Sequence, residues 1–213
     1  MTQQVSATRS ELLARRAQIR LGVQGRDLLK ERRSALVNEF NRLGASALAS
    51  IDALDRDAAD AGRLLGLSVA AEGPGPVQSA AWAAQGEIAV TLQTRSVAGV
   101  PIVEIETEPV ARARTDRGYS LAATSARLDE VAERFEAVLD RLLELAVLEL
   151  SVRRLADEIA RTTRRMNALE HVVVPRLESE RAHIALVLEE REMEDRVRLR
   201  RMRSRGARTG GRR

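Results

Sequence analysis

The amino-acid sequence predicts a protein dominated by α-helix, in which the N- and C-terminal helices pair antiparallel as a long coiled coil around a small middle region with a β-hairpin. Two helix-type runs, at about residues 8–67 and 121–204, flank a stretch rich in Gly, Pro and β-branched residues. Their apolar residues recur at alternating steps of three and four, the period of a coiled coil. Aromatic residues make up only 2% of the chain, whereas ordinary globular cores depend on them. We therefore expect segments at 1–67, 68–120 and 121–204, with a disordered basic tail at 205–213.

The first helix has a start signal and a regular apolar seam. Thr8 suits the N-cap position, and Glu11 three residues later completes a capping box. Two glycines, Gly22 and Gly25, lie inside the helix at a cost of about 1 kcal/mol each relative to Ala, which indicates a tight contact or a local bend. The predicted seam consists of Val37, Phe40, Gly44, Ala47, Ile51, Leu54, Ala58, Ala61 and Leu65.

The middle region predicts a loop followed by a two-stranded hairpin. Residues 68–76 end in Gly-Pro-Gly-Pro and are typical of a helix stop and loop. Alternation of apolar with polar or small residues then predicts two strands separated near Gly99. The apolar positions of these strands are Ile88, Val90, Leu92, Val103 and Ile105. Because an isolated hairpin is only marginally stable in water, it should rest on the helices or on a partner.

The sequence of the second helix predicts a distortion in this helix and an extension of its end past the start of the first helix. Pro175 lies inside it and removes one backbone donor, so we expect a kink or curve there. If Leu67 lies near Leu121, equal rise along both helices places Leu12 near Arg176. The residues beyond would then extend past the N-terminus of the chain. The segment 184–188, Ile-Ala-Leu-Val-Leu, is apolar on every side, so another protein is predicted to surround it.

Composition and motifs argue against catalysis by this chain. The chain has no cysteine and two histidines, without metal-ligand spacing, and it has no glycine-rich phosphate loop or nucleophile elbow. We predict no cofactor, no metal and no catalytic residue. The net charge of +4 is carried almost entirely by arginine, and the basic end is expected to be a solvated tail. With no secretory signal and no spanning apolar run, the protein is predicted to be cytoplasmic.

Two segments carry a resemblance to a known family. Near the start the chain reads VSATRSELLARRAQIRLGVQGRDLLKERRSALVNEF, and near the end it reads TTRRMNALEHVVVPRLESERAHI. Together they closely resemble the D subunit of the V/A-type rotary ATPases and ATP synthases. The chain departs from the family pattern at Ala7, where proline is usual, and at Ser34, where aspartate is usual. The resemblance covers both helical ends, which together make up well over half of the chain.

The resemblance implies the central rotor shaft of such a complex, non-catalytic and without bound nucleotide. The paired helices would enter the hexamer of alternating A and B subunits. The middle region would meet the F subunit and the funnel-shaped subunit on the proteolipid ring, so that the membrane is reached only indirectly. The residues expected to contact the hexamer are Thr8, Arg9, Leu12, Arg164, Arg165, Asn167, Glu170, Pro175, Ile184, Val187 and Leu188. Those expected to contact the F subunit or the membrane-side rotor are Ile88, Val90, Leu92, Val103 and Ile105.

Two other protein classes remain as alternatives. A prefoldin-like chaperone is also a coiled-coil hairpin with strands between its helices, although its helices are usually shorter. A nucleic-acid-binding coiled coil would use the arginine-rich end electrostatically, but no aromatic or base-reading element accompanies it, so we predict no nucleic-acid partner. The hairpin could also be a simple connector between the helices. Four polar residues in and just before the Asn-Ala-Leu-Glu block (residues 167–170) could be only the solvated side of the coiled coil: Arg164, Arg165, Asn167 and Glu170.

Overall fold

The described residues form four α-helices and one β-hairpin, and the predicted fold class is confirmed. The computed structural model describes residues 6–84, 86–107, 110–120 and 124–209. In chain order the elements are α1 (Arg9–Glu72), α2 (Pro74–Ala83), β1 (Val90–Val97), β2 (Val100–Thr107), a 3₁₀ turn (Arg114–Asp116), α3 (Ala126–Ala168), a π-helical turn (Leu169–Val173) and α4 (Val174–Thr209).

Several predicted boundaries differ from the observed ones. The helix stop predicted at Ser68 is wrong, because α1 continues to Glu72 and ends at Gly73, whose φ is 83°. The loop predicted up to residue 76 is largely a second helix, since Pro74 is compatible with a first helical turn. The predicted start at Leu121 lies outside the described residues, and α3 begins at Ala126. At the other end α4 runs to Thr209, into the segment predicted to be a disordered tail.

Contacts divide the chain into two units, Ser34–Ala160 and Met1–Arg33 with Arg161–Arg213. The core of the first unit joins α1, β2 and α3, and its buried members are Leu36, Leu43, Val100, Ile102 and Leu155. Because residues from both helices and the hairpin fill this core, the hairpin is an integral part of the unit. The prediction that the hairpin rests on the helices is confirmed.

The hairpin turn and its docking have clear physical causes. Ala98 (φ 49°) and Gly99 (φ 79°) form the two-residue turn with two positive φ angles that matches strand twist. The backbone N–H of Val103 donates to Ser151 Oγ at 3.1 Å, and the hydroxyl donates to the Val103 carbonyl at 3.1 Å. A single buried hydroxyl of α3 thus satisfies both backbone polar groups of Val103, which would otherwise be unpaired at the edge of β2.

The α1 seam is offset from the predicted one at several positions. Leu36 and Leu43 are buried in place of the predicted Val37 and Gly44, whereas predicted Ile51 and Ala58 are exposed. Polar residues occupy some seam positions of the heptad. A prediction based on apolar residues alone therefore selects the positions next to them. Asp57, for example, is half-buried beside Ala58 and forms an ion pair with Arg141 of α3. Gly44 has open space where a Cβ would lie, so no close helix approach occurs there.

Within the second unit, the first turns of α1 pair with α4 in a different register from the predicted one. The Thr8 cap is confirmed, since Thr8 Oγ1 accepts from the N–H of Glu11 at 3.2 Å. Arg9 pairs with Glu192 at 2.7 Å, and Arg15 pairs with Glu180 at 3.0 Å. The predicted neighbourhood of Leu12 and Arg176 is therefore wrong.

In the unit Ser34–Ala160, the pairing of α1 with α3 also differs from the predicted one. The prediction paired Leu67 with Leu121. In the structure, Glu72 accepts a hydrogen bond from Ser125, directly before α3. Both helix ends thus lie several residues later than predicted, so the pairing of α1 with α3 in this unit is shifted toward the C-terminus.

Gly22 and Gly25 of α1 face the π-helical turn between α3 and α4 and the residue that follows it. A Cβ at Gly22 would lie 3.2 Å from Val174 Cγ2, and one at Gly25 would lie 3.8 Å from Leu169 Cδ1. The tight contact predicted from these glycines is confirmed at Gly22. The π-helical turn Leu169–Val173 directly precedes Pro175, which agrees with a helix distortion predicted there, because proline removes an α-helical hydrogen bond.

We expect Ser151→Ala to loosen the hairpin from α3. The substitution leaves the N–H and carbonyl of Val103 buried without partners, which costs about 1–3 kcal/mol in the free energy of unfolding. Urea denaturation and amide exchange at Val103 measure the loss. The control Ser179→Ala removes an exposed hydroxyl of α4 and should change stability by less than about 0.5 kcal/mol. Unchanged exchange at Val103 in Ser151→Ala would contradict the proposed role.

We expect Arg9→Gln to raise the pKa of Glu192. A hydrogen bond and the charge of Arg9 lower the pKa of this carboxyl. The stabilisation from the pair is therefore present above the unfolded-state pKa and disappears as pH falls through the folded-state pKa. Carboxyl-detected NMR titration measures the shift. Glu39, whose pKa is lowered mainly by Arg42, is the internal control and should titrate unchanged. An unmoved Glu192 would contradict the register.

Candidate functional site: uncovered surfaces of the helices and hairpin

The residues predicted to contact a surrounding hexamer all belong to the unit that contains both chain ends. Seven of the eleven are exposed: Thr8, Arg9, Arg164, Arg165, Asn167, Glu170 and Pro175. Leu12, Val187 and Leu188 are half-buried, and Ile184 is 0% exposed. The structure thus leaves most of the predicted contact set accessible on one unit and places its apolar members partly in the helix seam.

The prediction for the segment 184–188 needs correction. It was expected to be uncovered on every side by this chain, yet Ile184 is fully buried and Leu188 lines a shallow groove with Leu12 of α1. The shifted register is the reason, because α1 reaches far enough to cover one side of the segment. Only the opposite side remains open, where Leu186 is 55% exposed.

The Asn-Ala-Leu-Glu block has an inner and an outer side. Leu169 and Val174 face the glycines of α1, while Asn167 and Glu170 are exposed. Val172, in the π-helical turn, is also exposed. A π-helical turn inside an α-helix is rare and is frequently associated with function. Here it presents two apolar residues, Val172 and Val173, and two polar residues, Glu170 and His171, on a surface that this unit does not cover.

Two apolar stripes on this unit were missed by sequence reasoning. On α1, Leu13, Leu21 and Leu28 are 63%, 70% and 66% exposed. On α4, Leu186 and Met193 are exposed, and Val197 extends the same row. The signal in the sequence was a spacing of seven or eight residues on α1, which repeats about every two helical turns. It was overlooked because leucines at coiled-coil spacing are normally assigned to the seam.

We name these two surfaces the α1 stripe (Leu13, Leu21 and Leu28) and the α4 stripe (Leu186, Met193 and Val197). Single exposed leucines are normal on protein surfaces, whereas aligned ones mark interaction sites. Their surroundings are charged, with ion pairs such as Arg198 to Glu194 at 3.7 Å one helical turn apart. Such exposed pairs are worth only about 0–1 kcal/mol each, so they can exchange partners at low cost.

The hairpin residues predicted to contact the F subunit or the membrane-side rotor separate into two groups. Ile88, Val90 and Leu92 are exposed. Ile105 is half-buried and lies opposite Leu92 in the strand register. Val103 is 5% exposed because its own unit covers it, so its side chain is not available to another protein. Of the predicted contact residues, the exposed ones therefore lie on β1 or just before it.

A buried ion cluster fastens the loop after the hairpin to α3. Arg117 is buried and donates from Nε and Nη2 to the two carboxylate oxygens of Glu136, at 2.9 and 2.7 Å. Hydrogen bonding to Glu136 raises the pKa of Arg117, which stays charged. Tyr119 donates to Asp129 at 2.8 Å. Burial, followed by this hydrogen bond to the carboxylate, raises the pKa of Tyr119, so the phenol keeps its proton at neutral pH.

Two kinds of feature, a metal-binding cluster and a membrane-spanning helix, are absent from the described part of the chain. Within residues 6–84, 86–107, 110–120 and 124–209, no three His, Asp or Glu side chains are grouped to hold a metal ion. No helix in these ranges is both long enough and apolar enough to cross a bilayer.

Comparison with known proteins identifies the family. The family model that describes the D subunit of ATP synthase matches residues 11–204. The A-type ATP synthase D subunit of Methanopyrus kandleri is 39% identical over 202 residues, covering 93% of this chain and 85% of the relative. That of Archaeoglobus fulgidus is 34% identical over 207 residues, covering 97% and 99%. That of Methanobrevibacter smithii is 37% identical over 200 residues, covering 94% and 87%. The chain belongs to the family of ATP synthase D subunits.

Proposed function

We propose that this protein is the central rotor shaft of a V/A-type ATP synthase or ATPase, a non-catalytic subunit that transmits torque between a membrane ring and a catalytic hexamer. The family match over residues 11–204 carries the proposal. The relatives are named as subunits of A-type ATP synthases, and a subunit acts through its partners. The protein would work on the cytoplasmic side, peripheral to the membrane.

The unit with both chain ends is the part we propose to lie inside the hexamer of A and B subunits. Its α1 and α4 stripes offer apolar contact, and its exposed ion pairs can be exchanged cheaply. A shaft that turns inside a collar needs many weak contacts and no deep, specific pocket. The polar outer side of the Asn-Ala-Leu-Glu block would add contacts to the same collar.

The unit Ser34–Ala160 is the part we propose to meet the other rotor subunits. The exposed residues Ile88, Val90 and Leu92 would contact the F subunit or the funnel-shaped subunit on the proteolipid ring. Since Ser151 and the core hold β2 against α3, a load on the hairpin would pass into the helices. Neither a nucleotide nor a nucleic acid is part of this proposal.

The alternative of a prefoldin-like chaperone has less support. The family match runs through both terminal segments and the middle region. The Asn-Ala-Leu-Glu block leads into a π-helical turn near Gly22 and Gly25, not into a client-holding helix tip. The alternative of a nucleic-acid-binding coiled coil also has less support. Arg196 and Arg198 of α4 form ion pairs with Glu192 and Glu194, which reduces their availability for the phosphates of a nucleic acid.

Rotation of the assembled complex tests the proposed function. The chain has no cysteine, so Ser79→Cys on the exposed side of α2, outside the proposed contact surfaces, provides a single attachment point on this subunit for a bead. With the catalytic hexamer fixed to a surface, ATP should drive rotation of the bead in one direction, and ADP should not. A bead that stays still while the same complexes hydrolyse ATP would overturn the proposal.

Removing the α1 stripe should weaken seating in the hexamer without unfolding the chain. Leu21→Asn combined with Leu28→Asn removes two exposed leucines, each worth about 1.5 kcal/mol or roughly tenfold in affinity if fully covered by a partner. Competition binding to the hexamer and the ratio of ATP synthesised to ions translocated measure the effect. The free energy of unfolding of the isolated chain should change by less than about 0.5 kcal/mol.

The matched control for the α1 stripe is Leu48→Asn. Leu48 lies on the same helix and is 67% exposed, but it belongs to the unit Ser34–Ala160. It should leave hexamer affinity unchanged. Equal losses in both variants would mean that the α1 stripe has no special role in seating.

A further inference from the structure

The unit Ser34–Ala160 contains a cavity of about 480 Å³, and Ile88 is the one proposed rotor-contact residue that lines it. It lies between the end of α1, helix α2 and the start of α3. Its walls are mainly apolar and include Leu65, Val77, Ala80, Val131, Phe135 and Leu139. This volume falls in the range of about 300–1,000 Å³ typical of small-molecule sites.

Two of the three polar side chains lining the cavity already have partners. Glu136 accepts two hydrogen bonds from Arg117 and a third from the backbone N–H of Arg112. Tyr119 donates its hydroxyl proton to Asp129. These groups are therefore satisfied by the protein itself and leave little hydrogen-bonding capacity for a ligand.

The third polar side chain, Arg112, has capacity to spare. Its guanidinium donates one hydrogen bond, from Nη1 to the carbonyl of Ala84 at 3.3 Å. Among the residues that the structure describes, none forms an ion pair with it. The guanidinium lies against Gly86, where a Cβ would come within 2.7 Å of Nη1. Arg112 is thus a half-buried cation that borders an apolar cavity and has no ion-pair partner in the described part of the chain; such a cation favours an anionic partner.

We propose that this cavity binds a medium-chain aliphatic monocarboxylate, with the carboxylate on Arg112 and the alkyl chain between α2 and α3. The chemistry of the two ends decides the ligand class. The apolar walls select a hydrocarbon body, and the single available cation selects one negative charge. This site lies outside the surfaces assigned to the catalytic hexamer and does not depend on the rotor proposal.

Calorimetric titration of the full chain with octanoate and decanoate, both below their micelle concentrations, tests the proposal. Saturable binding is expected, and each added methylene should raise affinity about fourfold while the chain still fits the cavity. Arg112→Met should reduce the affinity for the carboxylates about 10- to 100-fold, since hydrogen bonds to charged groups are the stronger class. The control Arg127→Met removes an exposed arginine outside the cavity and should have no effect.

Octanol and a cavity-filling variant separate the contributions of charge and volume. Octanol should bind more weakly than octanoate, and equally to wild type and Arg112→Met. Ala132→Phe should reduce binding of both ligands, with circular dichroism verifying that the chain is folded. Amide shifts on ligand addition should concentrate at Ala80, Leu128 and Val131.

Three results would overturn the proposal. The first is the absence of saturable carboxylate binding to the wild-type chain. The second is equal carboxylate affinity in Arg112→Met. The third is octanol binding as tightly as octanoate, which would assign the cavity to a neutral apolar occupant such as a side chain of a partner protein. None of these results depends on whether the assembled complex rotates.

Discussion

The register of the antiparallel helix pairing is the constraint on which the other features depend. Within Ser34–Ala160, Ser125 donates to Glu72 and Arg141 pairs with Asp57. Within a unit, such a contact restricts the neighbouring pairings, because the residue rise is the same on both helices. The register therefore decides which faces are covered by the chain and which remain for partners. A shift of several residues converts the segment at Ile184 from an uncovered tip into a half-covered seam.

Small and polar residues make this pairing possible at places where large apolar ones would not. Gly22 lets Val174 approach α1 directly after the π-helical turn, where the wider backbone needs room. Ser151 uses one hydroxyl to join the edge of β2 to α3. Asp57 occupies a seam position but remains paired. Each of these three residues buries less apolar surface than a large apolar residue would, but it defines the geometry of the contact. The two polar ones are paired, because a buried polar group without a hydrogen-bond partner is costly.

The surfaces left uncovered differ between the two units. The unit with both chain ends carries rows of leucine and methionine set among exchangeable charges, which suits broad contact with a surrounding protein. The unit Ser34–Ala160 carries an exposed strand and an apolar cavity fastened by the Arg117–Glu136 pair. This pair is buried, so removing one partner would leave an uncompensated charge. It holds the loop that brings Arg112 to the cavity.

Local patterns in the sequence were enough to predict the two terminal helices, the Thr8 cap, the hairpin, the contact at Gly22 and the family. All of these depend on periodicity, capping and turn chemistry, or on motifs contiguous in the chain. The register, the burial of Ile184 and Val103, the role of Ser151 and the cavity emerged only from the folded arrangement. These depend on where α1 ends at Glu72 and on α2, whose Pro74 start was mistaken for a loop. Local patterns indicate which residues can be buried, but the partner across the seam is set by the length of every element between them.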